Sequence, residues 1–184
     1  MLEHLLQWDE NIFVYLNHLG NKGFDDFWLF YTNQKKWILL YLFVVFLYFR
    51  YLGWKKALLS IIIISVFLGI CDQTTNLFKS FFERLRPSAD PHLKGKIRAL
   101  LHPHNYSFVS GHASNSTLFV WFSVFLLKKY TKFVWLLVIW WLLFIYSRIY
   151  VGVHYPLDII AGILWGLFLL FLAIKTFKFL NQKI

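Results

Sequence analysis

The side chains able to do chemistry gather in three short clusters of an otherwise very apolar chain: residues 79–87 (KSFFERLRP), 110–112 (SGH) and 147–158 (SRIYVGVHYPLD). Between them they supply Lys79, Arg86 and Arg148 as cations, His112 and His154 as proton carriers or nucleophiles, and Asp158 as a carboxylate. Charged groups at the edges of apolar segments are costly to keep near lipid and are a mark of function there. This set is what a phosphoryl transfer through histidine requires.

Lys79 and Arg86 are about two helical turns apart, so both face one way near the end of an apolar segment, and Pro87 disfavours further helix. Asp72 and Asn76 extend that stripe inward, and Glu83 sits one turn beyond Lys79. These three read first as partners that satisfy neighbouring polar groups. Ser110 is placed to cap a helix starting at Gly111, where free N–H groups and a missing side chain suit phosphate oxygens. His154 and Asp158 flank Pro156, which fits the first turn of another helix. There Asp158 can reach back to one ring nitrogen of His154, fix its tautomer and leave the other free as a nucleophile. Arg148 offers a planar fork for two phosphate oxygens.

Each cluster alone has a plainer reading: cations snorkelling to the interface, a Ser-Gly helix cap, a capping Asp beside a structural His. Their occurrence together favours a site. His102 and His104 lack a nearby Cys, Asp or Glu to complete a ligand set, so no metal is expected. His4, His18 and His92 carry no usable signal.

These groups need a scaffold, and the composition says where it sits. A 184-residue chain that is 59% hydrophobic, with 21 Phe and 9 Trp, has more apolar surface than a soluble domain of its size can hide. An integral membrane protein follows. The net charge of +10 would suggest nucleic acid in a soluble protein, but many of the cations flank apolar runs and suit lipid headgroups. No nucleic-acid partner is expected. Cys71, the single cysteine, lies in an apolar segment and reads as a small buried hydrophobe.

The pattern predicts an all-α bundle of five transmembrane helices preceded by short interfacial amphipathic helices. Residues 1–34 are too often interrupted by polar groups for a span, and read as two helices split near Gly20–Gly23. Trp8, Phe13, Phe24, Phe27 and Trp28 are their expected membrane anchors. Residues 35–184 form the transmembrane domain, with spans near 36–53, 57–84, 111–127, 133–149 and 157–175. Cation clusters at Arg50–Lys56, Lys128–Lys132 and Lys175–Lys183 then share one side, which the positive-inside rule makes cytoplasmic. Residues 85–110 and 148–156 fall outside, so all three chemical clusters share the outer face.

With that spacing on the page, the chain resembles the type 2 phosphatidic acid phosphatase (PAP2) superfamily, whose signature runs K-x6-R-P, P-S-G-H and S-R-x5-H-x3-D. The matching positions are Lys79–Pro87, Ser110–His112 and Ser147–Asp158, with Val109 where the family usually has Pro. The resemblance implies His154 as nucleophile through a phosphohistidine, Asp158 orienting it, and His112 protonating the leaving oxygen. Lys79, Arg86, Ser110, Gly111 and Arg148 would hold the phosphate, with no metal or cofactor. It also implies a bacterial inner-membrane lipid phosphatase whose site faces the periplasm, with a phosphorylated membrane lipid as substrate. Undecaprenyl diphosphate is the first expected substrate; lipid A and phosphatidylglycerophosphate are its close rivals. A non-catalytic lipid-phosphate binder or transporter, and vanadate-dependent haloperoxidase chemistry, are readings of other classes. The residues leave the oligomeric state open.

Overall fold

Breaks in the apolar pattern set the helix ends in the computed structural model, which describes residues 2–183. Helix α1 (Leu2–His18) stops just before the Gly20–Gly23 interruption, and a 3-10 turn at Lys22–Phe24 leads into α2 (Asp25–Thr32). Asn33 caps a second 3-10 turn, Gln34–Trp37, that opens α3 (Ile38–Leu52). Gly53, at φ 76°, turns the chain sharply into α4 (Trp54–Phe82). A long connection over 83–110 holds only two short 3-10 turns, both begun by proline. Ser110 caps α5 (Gly111–Leu127), α6 spans Leu136–Tyr150, and Pro156 occupies the first turn of α7 (Pro156–Asn181).

Helix α5 is the centre of the bundle, packed by α3, α4, α6 and α7. Its tightest neighbour is α7. A Cβ added at Gly166 would meet the Ser114 carbonyl and Thr117, and one at Gly162 would meet the Ser110 carbonyl and Ala113. Small residues facing each other let two backbones approach closely, which is how apolar helices pack when no water drives them together. Large apolar side chains stay exposed on the outward faces, among them Leu39, Phe46, Ile62, Phe81, Leu164 and Phe171. Such a surface suits lipid. Three stretches, Trp54–Leu93, Lys132–Tyr150 and Pro156–Asn181, are long and apolar enough to cross a membrane. Helices α3 and α5 have 15 and 17 residues, about 23 and 26 Å, shorter than a bilayer core of about 30 Å.

The N-terminal helices lie against the same end of the bundle as the three chemical clusters: α1 packs on α6 and α7, and α2 on α6. Two of the expected membrane anchors instead pack on protein. Phe13 is fully buried with its ring edge-on to Tyr155, and Trp28 stacks on Tyr150. Both serve to seat the helices on the bundle, because aromatic faces found protein partners there. Trp8, Phe24 and Phe27 are exposed, as an anchor must be. Glu83 also departs from expectation. It ends α4 in the left-handed conformation at φ 47°, with an exposed side chain, so the helical spacing that would pair it with Lys79 is lost. Asp72 and Asn76 are exposed on α4.

Candidate active site

Two connections carry the site, and backbone hydrogen bonds sew them together. Leu100 N–H donates to the Val151 carbonyl at 3.1 Å and Ser88 N–H to the Gly152 carbonyl at 3.1 Å, while Ser107 N–H donates to the Arg84 carbonyl at 2.8 Å within the longer connection. Gly152 makes the seam possible. At φ 79° it adopts a backbone shape that side chains disfavour, and a Cβ there would come within 2.9 Å of Ala99 Cα. Asn17 of α1, fully buried, holds the seam from the other side. Its amide donates to the carbonyls of Arg98, Ile149 and Tyr150 at 3.0–3.1 Å, while its oxygen accepts from Arg98 N–H at 2.8 Å.

His154 emerges from this seam and is almost wholly buried at 1% exposure. Arg86 Nη1 lies 3.2 Å from its Nε2, and Asp158 Oδ2 lies 3.4 Å from its Nδ1. An arginine can only donate, so Nε2 must present its lone pair and the ring proton sits on Nδ1, towards the carboxylate. Burial, and then the charges of Arg86, Arg148 and Lys79, push the His154 imidazolium well below the usual histidine range. The ring is therefore held neutral with a lone pair facing the cations.

Asp158 is placed by helix geometry. In the first turn of α7 its Oδ2 accepts the Tyr155 N–H at 2.9 Å, an N-terminal capping arrangement, while Oδ1 accepts Arg84 Nη1 at 2.7 Å. The Asp158 carbonyl accepts Ser110 N–H at 3.0 Å, which ties the start of α5 to that of α7. Ser110 Oγ caps Ala113 N–H, so its hydroxyl serves the helix start. At Gly111 a Cβ would sit 3.7 Å from Lys79 Nζ, so the missing side chain leaves the lysine at the helix N-terminus.

The other two cations are anchored differently. Arg86, 4% exposed, spends its Nε and Nη2 on Asn105 and shares Nη1 between the Val153 carbonyl and His154. Arg148, also buried, donates one Nη to Thr32 Oγ1 of α2, and its Nε has no hydrogen-bond partner among the described residues. Ser147 Oγ shares Thr32 at 3.0 Å. His112 stacks on Phe144 and lines a cavity of about 390 Å³. Tyr41, Ile64, Leu68, Phe119 and Trp140 make that cavity mostly apolar. A second, more polar hollow of about 240 Å³ borders Arg86, between Leu85–Ala89 and His102–Tyr106.

The structure thus brings Lys79, Arg86, Ser110, Gly111, Arg148, His154 and Asp158 to one end of the bundle, with His112 on the neighbouring cavity wall. Three further residues reach into it that sequence reasoning passed over: Arg84 on Asp158, Asp9 on Arg84, and Thr32 on Arg148. Asp9 and Thr32 lie far outside the three clusters, so no local spacing could have flagged them. Arg84 lies inside the first cluster and was hidden by the regular spacing of Lys79 and Arg86.

The sequence matches the PAP2 superfamily over residues 54–182. It is 33% identical over 189 residues to the lipid A 4'-phosphatase of Porphyromonas gingivalis, covering 99% of this chain and 78% of that protein. It is 27% identical to the lipid A 4'-phosphatase of Bacteroides thetaiotaomicron, covering 90% and 75%. Among solved structures, its fold is similar to that of the transmembrane PAP2-type phosphatidylglycerolphosphate phosphatase of Bacillus subtilis, at 24% identity and a TM-score of 0.71, covering 98% and 88%. The three clusters, the helical architecture and the family match over most of the chain converge: this protein belongs to the PAP2 superfamily, as a membrane lipid phosphatase.

Proposed function

We propose that the chain removes the phosphate of a lipid A-type saccharolipid by a metal-independent reaction through a phosphohistidine at His154. The observation that carries the mechanism is the two-sided hold on His154, with Asp158 at Nδ1 and Arg86 at Nε2. Nε2 attacks phosphorus, the bond from phosphorus to the lipid oxygen breaks, and that oxygen takes a proton from His112. Water then attacks the phosphorus of the phosphohistidine and gives its proton to His112, the bond from phosphorus to Nε2 breaks, and free phosphate leaves. Lys79, Arg86 and Arg148, with the N–H groups at Gly111, balance the charge on the phosphate oxygens through the transition state. The unpartnered Arg148 Nε is a donor suited to one of those oxygens.

The position of His112 agrees with this division of labour. It lines the apolar cavity, so the leaving oxygen and the attached lipid lie on its side while the phosphate lies among the cations. Five helices, α3 to α7, cross the bilayer in this reading, with residues 35–184 carrying the reaction. Residues 1–34 lie across the outer mouth at the interface. The cation clusters at the opposite end support a site on the periplasmic face of a bacterial inner membrane. Lipid A takes precedence over undecaprenyl diphosphate because two relatives matched over 90% or more of this chain are lipid A 4'-phosphatases.

The test is phosphate release by the detergent-purified protein in EDTA, beside His154→Ala, on lipid A, undecaprenyl diphosphate and phosphatidylglycerophosphate. Release that survives EDTA, vanishes in the variant and is fastest on lipid A is the expected result. A faster rate on either other lipid overturns the substrate, and activity in His154→Ala overturns the mechanism. Folded but inactive wild-type protein on all three lipids moves the reading to a lipid-phosphate binder.

A further inference from the structure

Asp9 is a carboxylate of α1, outside every motif that carries the chemistry, yet it is 3% exposed. Its Oδ2 accepts Arg84 Nη2 at 2.6 Å, and its Oδ1 accepts Leu157 N–H at 2.8 Å. Arg84 is a bridge: its other terminal nitrogen donates to Asp158 Oδ1 at 2.7 Å, and its guanidinium lies 4.0 Å over the Tyr155 ring. That ring is fixed in turn, its hydroxyl donating to Asp90 at 3.0 Å. A continuous chain of charged contacts therefore runs from α1 through Arg84 and Asp158 to Nδ1 of His154.

We propose that Asp9 is a positioning residue for the phosphatase reaction, acting through Arg84 to set how Asp158 holds His154. The inference rests on the histidine mechanism above. Arg84 now divides its fork between two carboxylates. With Asp9 neutral, both terminal nitrogens are free to converge on Asp158, the two-pronged geometry that arginine favours with a carboxylate. Asp158 then turns towards Arg84, and its already long contact with His154 weakens. The ring loses its fixed tautomer while the phosphate-holding cations stay where they were. A second-sphere change of this kind lowers the rate of the chemical step and leaves substrate binding alone.

The competing explanation is purely structural: Asp9 merely caps α7 through Leu157 and staples α1 to the bundle. Asp9→Asn separates the two, because the amide oxygen still accepts the Leu157 N–H while the charge on Arg84 is gone. The assay uses the full chain in detergent with the lipid that the wild-type protein hydrolyses best, beside His154→Ala. The expected result is a kcat lower by about tenfold or more with KM changed less than about twofold. Asp9→Asn combined with Arg84→Gln should be no slower than Arg84→Gln alone, since both act along one path. An unchanged kcat, a loss carried by KM, or additive losses in the double variant each overturn the proposal. Should Asp9→Asn fail to fold, Asp9→Ser, which keeps an oxygen for Leu157, is put to the same kcat-against-KM reading. Activity in His154→Ala would instead mark failure of the underlying mechanism, whatever Asp9 does.

Discussion

Arg86 donates to Nε2 of His154 at 3.2 Å, so the lone pair that would attack phosphorus is covered by the very cation that would bind the phosphate. The two uses are mutually exclusive at any instant. A phosphate oxygen must take the Arg86 donor before Nε2 is exposed, which couples substrate arrival to release of the nucleophile. Arg86→Lys should therefore cost more than a lost charge, because a lysine cannot also hold Asn105 and the Val153 carbonyl. We expect kcat/KM to fall by about 100-fold or more, measured as initial rates of phosphate release.

The lowered pKa of His154 has two consequences of the same sign. In the proposed mechanism its neutral form is the nucleophile, so kcat/KM should stay level as pH drops through the ordinary histidine value of about 6.5 and fall only below it. For stability, the unfolded chain binds a proton at His154 more readily than the folded one. The contribution is fully present above about 6.5 and is lost as pH falls towards the folded value. Thermal unfolding in detergent between pH 7 and 5 should show a falling midpoint in the wild type and a smaller fall in His154→Ala. An acid limb at or above 6.5 would contradict the buried, cation-flanked setting.

Thr32 joins α2 to the site by accepting from both Arg148 and Ser147. Thr32→Val keeps the shape and removes the acceptor. Leaving a buried guanidinium donor without its partner should lower kcat/KM about tenfold. The helical content seen by circular dichroism should be unchanged.

The crossing of α5 and α7 supplies a paired stability test. Gly166→Val places methyl groups where the Ser114 carbonyl already lies, and should destabilise by about 1–3 kcal/mol or prevent folding. Gly69→Ala, mid-helix on α4 with nothing within 4 Å of the added carbon, should instead stabilise by about 0.5–1 kcal/mol. Unfolding midpoints in one detergent decide both.

The sequence made the cluster geometry and the helix limits readable because both depend on near neighbours. Pro156 at the first turn of α7, Asp158 reaching back to the Tyr155 N–H, and Ser110 capping α5 are contacts within four residues, and their spacing is visible in the chain. Helices α3 to α7 follow the five apolar runs for the same reason. What spacing could not show were contacts between distant segments. Phe13 looks like a lipid anchor until Tyr155 is placed beside it, and Asp9 looks like an interruption in an apolar run until Arg84 folds onto it. Glu83 was misjudged because helical periodicity was extended one residue past the helix end.

The grip of Asn17 on the backbone of Arg98, Ile149 and Tyr150 bears on how this architecture can diversify. A loop that is free at its edges can be exchanged between relatives to change what it recognises. Here the long connection over 83–110 and the turn before His154 are fastened to each other and to one side chain of α1. A graft of residues 85–110 from another phosphatase would arrive without the residues it was fitted to, and would disturb the nucleophile along with the headgroup contacts. New specificity on this scaffold is best transplanted as a set, with α1, the 83–110 connection and the 148–156 turn moving together.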